Sequence, residues 1–223
     1  MADEIETHPV FPLPNVVLFP KAVLALHVFE PRYRLMMAQV IQGGQLICMA
    51  LLKPGWESDY YGTPEVHPIA CVGRIRQYQM LPDGRYDLTL EGERKVAIEG
   101  FERDHPFRVA RVRPILENHA WDEGTGADAE ARELLALFRR FHEEQGAAID
   151  LAGTFGANLG AEAILNTIAM HLNVEPAVKQ QLLEMESSEL RYRAVRQVLT
   201  DASATQDALD RARHLYPSDR RQN

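Results

Sequence analysis

The feature that most constrains the fold is a change in the spacing of apolar residues near residue 118. Before this point, short apolar runs are separated by proline and glycine, and RYDLTLE alternates so that Tyr86, Leu88 and Leu90 share one face. Such alternation is typical of a half-buried strand. After it, apolar residues recur at intervals of three and four, as in helices with one buried face. We therefore predict two subdomains, residues 1–118 and 119–223.

The first subdomain is predicted to contain six or seven short strands around a single helix. In LPDGRY, Pro82 presets a turn and Gly84 can adopt a positive φ, which predicts a hairpin between the flanking strands. The strand candidates are VVLFP, LALHVF, LICMALL, IACVGRIRQYQM, RYDLTLE, KVAIEGF and FRVARVRPI. Several short strands with closely spaced turn signals are typical of a barrel or a highly bent sheet.

The stretch from residue 11 to residue 34, FPLPNVVLFPKAVLALHVFEPRYR, is interpreted as a junction between strands and a helix, not as an active site. Proline cannot donate a ladder hydrogen bond, so Pro12 and Pro14 are expected at an edge or a strand entrance. Pro20 is expected to divide the tract into two strands. Pro31 suits the first helical position, which predicts a helix over 31–42.

The second subdomain is predicted to be a bundle of four or five helices. Pro176 suits the first turn of one helix, and Ser187 or Ser188 is a candidate N-cap for the next. A last short helix is expected from Ala202 to His214. The apolar positions of the other four helices are Leu134, Phe138 and Phe141; Ile164, Ile168 and Leu172; Val178, Leu182 and Met185; and Leu190, Ala194, Val195, Val198 and Leu199.

Composition limits the classes of partner and compartment. The net charge is −8, divided as −2 up to Asn118 (13 basic and 15 acidic residues) and −6 after it (11 and 17). Neither half has a basic field, which argues against a nucleic acid as the main partner. The start of the sequence has no pattern of a secretory signal, and its apolar runs fall short of the ~20 residues of a membrane span. We therefore predict a cytoplasmic protein without a membrane partner, in which Cys48 and Cys71 are buried free thiols.

FPLPN, LFP and FEPRY, in that order and spacing, followed by CVGRI, LPDGRYDLTLEGERKVAI and LLEMESSELRYRAVRQVL, resemble the N-terminal domain of Lon proteases. The resemblance covers nearly the whole chain and is to a stand-alone form of that domain, without the ATPase and peptidase parts. It implies a PUA-like β-barrel followed by a helical bundle. It also implies recognition of substrate proteins, particularly their unfolded or exposed apolar segments. The motif residues Pro14, Asn15, Glu30, Pro31 and Arg32 are interpreted as determinants of the fold.

The sequence predicts a non-enzymatic protein without catalytic residues, cofactor or metal. No Gly-Lys-Ser or Gly-Lys-Thr is present, although the phosphate loop of Lon requires one. None of the five serines lies in a motif like that of the Lon peptidase, which uses serine and lysine. The eight histidines include no pair spaced by four residues, and there is no Cys-x-x-Cys, so no zinc site is indicated.

The loop KPGWESDYYGTPEVHP, residues 53 to 68, holds the candidate binding residues. Aromatic residues in loops are frequent at interfaces. Our hypothesis is a groove for unfolded or partly folded polypeptide, formed by Trp56, Tyr60 and Tyr61 with an apolar surface near Phe29, Tyr33 and Met37. In the alternative interpretation, the loop folds back over the barrel. Two other functions stay open. One is an RNA-binding module, by analogy with other PUA-like barrels. The other is a structural or regulatory protein in protein quality control, either a small oligomer or an adaptor that delivers clients to a separate protease.

Overall fold

A computed structural model describes residues 4–118, 121, 126–144 and 160–215. The described part contains six strands: β1 Glu6–Leu13, β2 Val23–Val28, β3 Leu46–Leu51, β4 Ile69–Met80, β5 Tyr86–Arg103 and β6 Val109–Pro114. It also contains five α-helices: α1 Pro31–Gln42, α2 Ala127–Glu144, α3 Ala161–His171, α4 Pro176–Glu184 and α5 Ser188–Leu215. All the strands precede residue 118, and four of the helices follow it, so the predicted α+β class is confirmed.

The sheet is organised around β5, the longest strand. β4 pairs with one side of β5, while the other side pairs with β2 over residues 86–91 and with β6 over residues 96–103. The strand order is β2-β5-β4-β3-β1-β6, and β6 pairs back with β5. Five strands therefore form a cycle of pairings, which is the arrangement that a barrel requires, and β2 lies outside the cycle.

The segment between β1 and β2 differs from the prediction, because VVLFP is not a strand. Val17, Leu18 and Phe19 are buried in succession rather than alternately. Their backbone passes close to Gly92, where a Cβ atom would lie 2.0 Å from the carbonyl oxygen of Phe19. Of the described residues of this segment, only Pro20 is paired with the sheet, in a parallel bridge to Gly92. The prediction was wrong because a buried coil with three apolar residues in a row has the composition of a strand.

The prolines of β1 lie where a missing N–H is tolerated. Residues 6–9 of β1 pair with β6, while residues 10–13 pair with β3, the second pairing being parallel. Pro9 and Pro12 are each placed in one of these two ladders. Since each part of the strand has a single partner, a proline can direct its ring away from the ladder.

The helices follow their local signals with one exception. Pro31 begins α1 and Pro176 begins α4, as predicted. The Ser187 hydroxyl accepts a hydrogen bond from the backbone N–H of Leu190 (3.3 Å), as an N-cap does. The expected separate helix from Ala202 to His214 is wrong, because α5 continues to Leu215 without interruption. No glycine or proline occurs within α5 to end it earlier.

The strand half and the helical half share one hydrophobic cluster. It contains Phe19, Met36 and Leu90 from the first half together with Phe138 and Val195 from the second. The backbones of the two halves also meet, because Asn118 forms a parallel bridge with Ser187. The described parts of the two halves are therefore packed together, while the division at 118/119 stays a prediction.

A buried polar network crosses the same boundary. The Glu117 carboxylate lies 3.2 Å from Lys95 Nζ and 2.6 Å from an Arg191 guanidinium nitrogen. Arg191 also donates to the Leu182 carbonyl and to Asn166 Oδ1, and Asn166 donates to the Pro20 carbonyl. Burial lowers the pKa of Lys95, opposed by the nearby Glu117 carboxylate.

Both cysteines are buried and free, as predicted. Burial raises the pKa of the Cys48 thiol to about 12, so the thiol stays protonated at neutral pH. Within the described ranges, no three or more His, Cys, Asp or Glu side chains group as a metal site would require. None of the helices in the described part of the chain combines the length and apolar character needed to cross a membrane.

Candidate peptide-binding groove

The aromatic loop, residues 53–68, is partly folded against the sheet and partly open. Trp56 and Tyr60 pack against a hydrophobic cluster formed by the strands, whereas Tyr61 is 83% exposed. The Tyr60 ring contacts both of the other rings edge to face, with centroid distances of 5.5 Å to Trp56 and 5.2 Å to Tyr61. The loop therefore covers the sheet with two aromatic side chains and presents the third to solvent.

Two residues of the FEPRY motif hold this loop in place. The Tyr60 hydroxyl donates a hydrogen bond to Glu30 Oε1 (2.6 Å), and Arg32 donates to the Tyr60 carbonyl (3.2 Å) and to Glu30 Oε2 (3.1 Å). The Arg32 guanidinium lies over the rings of Tyr60 and Tyr61, 5.1 and 5.8 Å from their centroids. Burial, together with the bond to Glu30, raises the pKa of Tyr60, so its hydroxyl stays a donor.

A narrow groove separates the aromatic loop from residues 104–108. The cavity inside the groove has a volume of about 30 Å³, roughly that of one water molecule. Its lining residues include Arg32, Tyr33 and Tyr61. Arg108 connects the two sides by donating to the Pro64 carbonyl (2.8 Å) and pairing with Asp104 (3.3 Å). Burial lowers the pKa of Arg108, opposed by Asp104. The groove thus has an exposed aromatic side chain at its rim, and its two sides are joined by the contacts of Arg108 with Pro64 and Asp104.

The structure brings together only part of the predicted set. Tyr33, Tyr60 and Tyr61 line the groove, and Trp56 adjoins it through Tyr60. Met37 is fully buried and Tyr33 is 3% exposed, so the expectation that these two contribute an open apolar surface is corrected. They lie on the face of α1 that packs into the core, where the Tyr33 ring contacts Phe11 (4.4 Å between centroids).

Phe29 lies apart from the groove. Its side chain is 59% exposed and its ring is roughly parallel to that of His27, 6.1 Å away. It follows directly after β2. There β2, residues 86–91 of β5 and residues 76–80 of β4 form a three-stranded part of the sheet that extends beyond the cycle of five strands, called here the three-stranded projection. Phe29 is therefore not among the residues that line the groove.

This three-stranded projection was not found from the sequence. Its polar face has an open depression of about 850 Å³, lined by residues that include His27, Gln77 and Asp87. On its other face, Tyr78 and Met80 of β4 are 47% and 63% exposed. The signal was present in RQYQM, which alternates polar and apolar residues immediately before the hairpin turn.

The model of the ATP-dependent protease La (LON) substrate-binding domain matches residues 7–201. The chain belongs to this family. The matched region contains the aromatic loop, the groove and the three-stranded projection, together with most of the described helical half. The matching family model is that of the substrate-binding domain and not that of a peptidase domain.

Two curated relatives show the extent of the similarity. The LON domain is 24% identical over 198 residues to the Lon protease of Desulfosudis oleivorans, covering 85% of this chain and 23% of the relative. It is 27% identical over 208 residues to Lon protease 2 of Herpetosiphon aurantiacus, covering 93% and 25%. The chain therefore spans about a quarter of the length of these relatives.

Solved structures with the same fold are N-terminal domains of Lon proteins. A Lon N-terminal domain protein from Xanthomonas campestris has a TM-score of 0.58 at 22% identity, covering 88% of this chain and 98% of that one. The N-terminal domain of Mycobacterium avium complex Lon protease has a TM-score of 0.63 at 17% identity, covering 88% and 99%. At these identities the likeness concerns the fold alone.

Proposed function

We propose that this LON domain is a non-catalytic recognition module that binds extended apolar segments of unfolded or partly folded polypeptides. The observation that carries this proposal is the aromatic rim of the groove, where Tyr61 is 83% exposed and its ring lies 5.8 Å from the guanidinium of the motif residue Arg32. A rigidly held aromatic side chain offers a large contact area at a low cost in conformational entropy. Membership of a substrate-binding family supports the same role.

We further propose that the chain acts in protein quality control as an adaptor or regulator that presents bound segments to a separate protease. The support is the matched family, whose model describes the substrate-binding domain of a protease. An adaptor of this kind increases the rate at which a purified protease degrades an unfolded client, without degrading the client itself.

The strand arginines do not favour RNA as the ligand. Arg74, Arg76 and Arg94 are paired with Glu93, Glu91 and Glu6 respectively. Arg113 is likewise paired with Glu99 (2.9 Å). Because these carboxylates neutralise the four guanidinium groups, these positions present no continuous basic field to a phosphate backbone.

The test is fluorescence anisotropy of a labelled, permanently unfolded protein titrated with the chain. We expect binding that tolerates salt, since the rim is apolar, and a Kd weakened at least fivefold by Tyr61→Ala or Trp56→Ala. Leu116→Ala is the matched control, because Leu116 is also largely exposed (78%) but does not line the groove.

Three outcomes separate the possibilities. Equal affinity for the folded and the unfolded form of the same labelled protein would contradict recognition of unfolded segments. An unchanged Kd for both aromatic variants would contradict the groove as the binding site. Binding of a labelled single-stranded RNA with a steep loss of affinity as salt rises would favour the nucleic-acid module instead.

A further inference from the structure

The last five residues of β4, 76–80, form an open strand edge. β3 pairs with β4 only over residues 71–74, and β5 occupies the other side of β4. Throughout the described ranges, no strand pairs with residues 76–80 on the β3 side. The exposed edge is about 16 Å long at roughly 3.3 Å per residue.

The backbone groups of Tyr78 and Met80 point toward this edge. Leu81 donates its N–H to the Arg85 carbonyl (2.8 Å), which closes the hairpin with a hydrogen-bonded pair. Bonded and non-bonded pairs alternate along an antiparallel ladder, so the pairs Met80↔Tyr86 and Tyr78↔Leu88 are of the non-bonded kind. The N–H and C=O groups of Tyr78 and Met80 therefore face away from β5.

Two rows of apolar side chains end at the same edge. One row runs across the three strands from Leu26 through Leu88 to Tyr78. The second row consists of Val28, Tyr86 and Met80. In both rows the residues of β2 and β5 are buried or partly buried, whereas Tyr78 and Met80 of β4 are 47% and 63% exposed. A fourth strand with apolar residues at every second position would extend both rows.

The edge contains no proline and no unpaired charge, and the register shift between Ile75 and Gln77 lies at its start. Edge strands are commonly protected by proline, by unpaired charges or by covering elements. Residues 76–80 are Arg-Gln-Tyr-Gln-Met, and the single charge of Arg76 is paired with Glu91 (2.6 Å). On the polar face, the Asp87 carboxylate is hydrogen-bonded to His27 (2.6 Å). A neutral, apolar partner thus meets no unpaired arginine at this edge.

We propose that this edge binds one extended segment of a client polypeptide as an added antiparallel strand, with alternating apolar residues continuing the two rows. The proposal rests on the proposed function and adds a second binding surface to it, distinct from the aromatic groove. Main-chain hydrogen bonds provide affinity that is independent of client sequence, while Tyr78 and Met80 select for apolar residues. Antiparallel pairing matches both existing partners of β4.

The test uses the full chain and a fluorescein-labelled nine-residue peptide in which valine alternates with serine. If the valines continue the rows, two of them lie opposite Tyr78 and Met80, and the N–H groups of these two bond to β4. N-methylation of the valines should therefore weaken binding at least tenfold. N-methylation of the serines, whose N–H groups face away from β4, should leave the Kd within twofold. Equal losses for the two peptides, or none, would overturn the proposal.

A variant pair tests the edge. Tyr78→Pro removes an outward N–H and keeps the inner ladder, so we expect loss of peptide binding, whereas Leu116→Ala, at an exposed residue outside both surfaces, should bind the peptide as the wild type does. If Tyr78→Pro does not fold, the N-methylated peptides still decide the question on the wild-type chain. A wild-type dimer that Tyr78→Pro abolishes, seen by sedimentation, would make a second copy the occupant and overturn the client proposal.

The two proposals can fail separately. If the unfolded protein binds and depends on Tyr61, but the alternating peptide does not bind, the edge proposal alone is contradicted. If neither the unfolded protein nor the peptide binds, both are contradicted.

Discussion

Glu117 is the residue on which the buried polar network depends. Its carboxylate is 4% exposed and lies between Lys95 and Arg191, whose side chains are 3% and 0% exposed. The two buried cations share this one carboxylate as their partner, so its removal would leave both of them unpaired. The backbone and amide acceptors around Arg191 satisfy its other donors but supply no negative charge.

Substitution of Glu117 by Gln should lower the free energy of unfolding by about 3–5 kcal/mol, because it leaves two buried cations without a counter-charge. The measurement is equilibrium unfolding in urea at neutral pH. Glu133→Gln is the matched control, since its pair with Arg196 (3.2 Å) is about half exposed and should contribute much less to the free energy of unfolding. Equal losses in the two variants would contradict the role of the network.

At the scale of the elements, the buried segment between β1 and β2 passes so close to β5 that β5 needs a glycine, Gly92, at the point of contact. Gly92 donates its N–H to the Ala22 carbonyl and accepts from the Lys21 N–H, so the segment and the strand are in backbone contact. Gly44, which lies between α1 and β3, has no atom within 4 Å of the position a Cβ would occupy.

Gly92→Ala should therefore destabilise the protein by roughly 2–4 kcal/mol, since the added methyl must displace the backbone at Phe19. Gly44→Ala should change the free energy of unfolding by less than ~1 kcal/mol. Thermal unfolding followed by far-ultraviolet circular dichroism compares the two variants. A similar midpoint for both would show that the segment moves aside without cost.

The same elements show what the sequence could predict. The hairpin at Gly84, the start of α1 at Pro31 and the start of α4 at Pro176 depend on local signals, and each was placed correctly. The course of VVLFP depends on a contact with Gly92, more than 70 residues away, which periodicity does not contain. Spacing likewise places Tyr33 and Met37 on one face of α1 but does not reveal that this face packs into the hydrophobic core.

The candidate site was predictable in composition but not in extent. The aromatic loop was identified from its residue types, whereas the contacts of Arg32 and Arg108 with it require the fold. The open edge of β4 was missed because it depends on where β3 ends its pairing at Arg74. A strand's neighbours are a property of topology, and a single strand's sequence does not encode them.

For the whole molecule, the shared core predicts that the two halves unfold together. Each half contains one tryptophan: Trp56 packs against the strands, and Trp121 stacks on Tyr192 of α5 (4.9 Å). Each single-tryptophan variant, Trp56→Phe or Trp121→Phe, reports on the half that keeps its indole. We expect the fluorescence midpoints in urea to coincide with each other and with that of circular dichroism. Two separated midpoints would show that the halves are independent.

The position of Asn118 has a consequence for how such domains can recombine. This residue stands where the periodicity changes, yet it bridges to Ser187, and its neighbour Glu117 sits between cations from both halves. A chimera that joined the strands of one relative to the helices of another would have to match an ion network and a core at the same time. The smallest unit that can be transferred is therefore the two halves together, and we expect the domain to be exchanged between proteins as a whole.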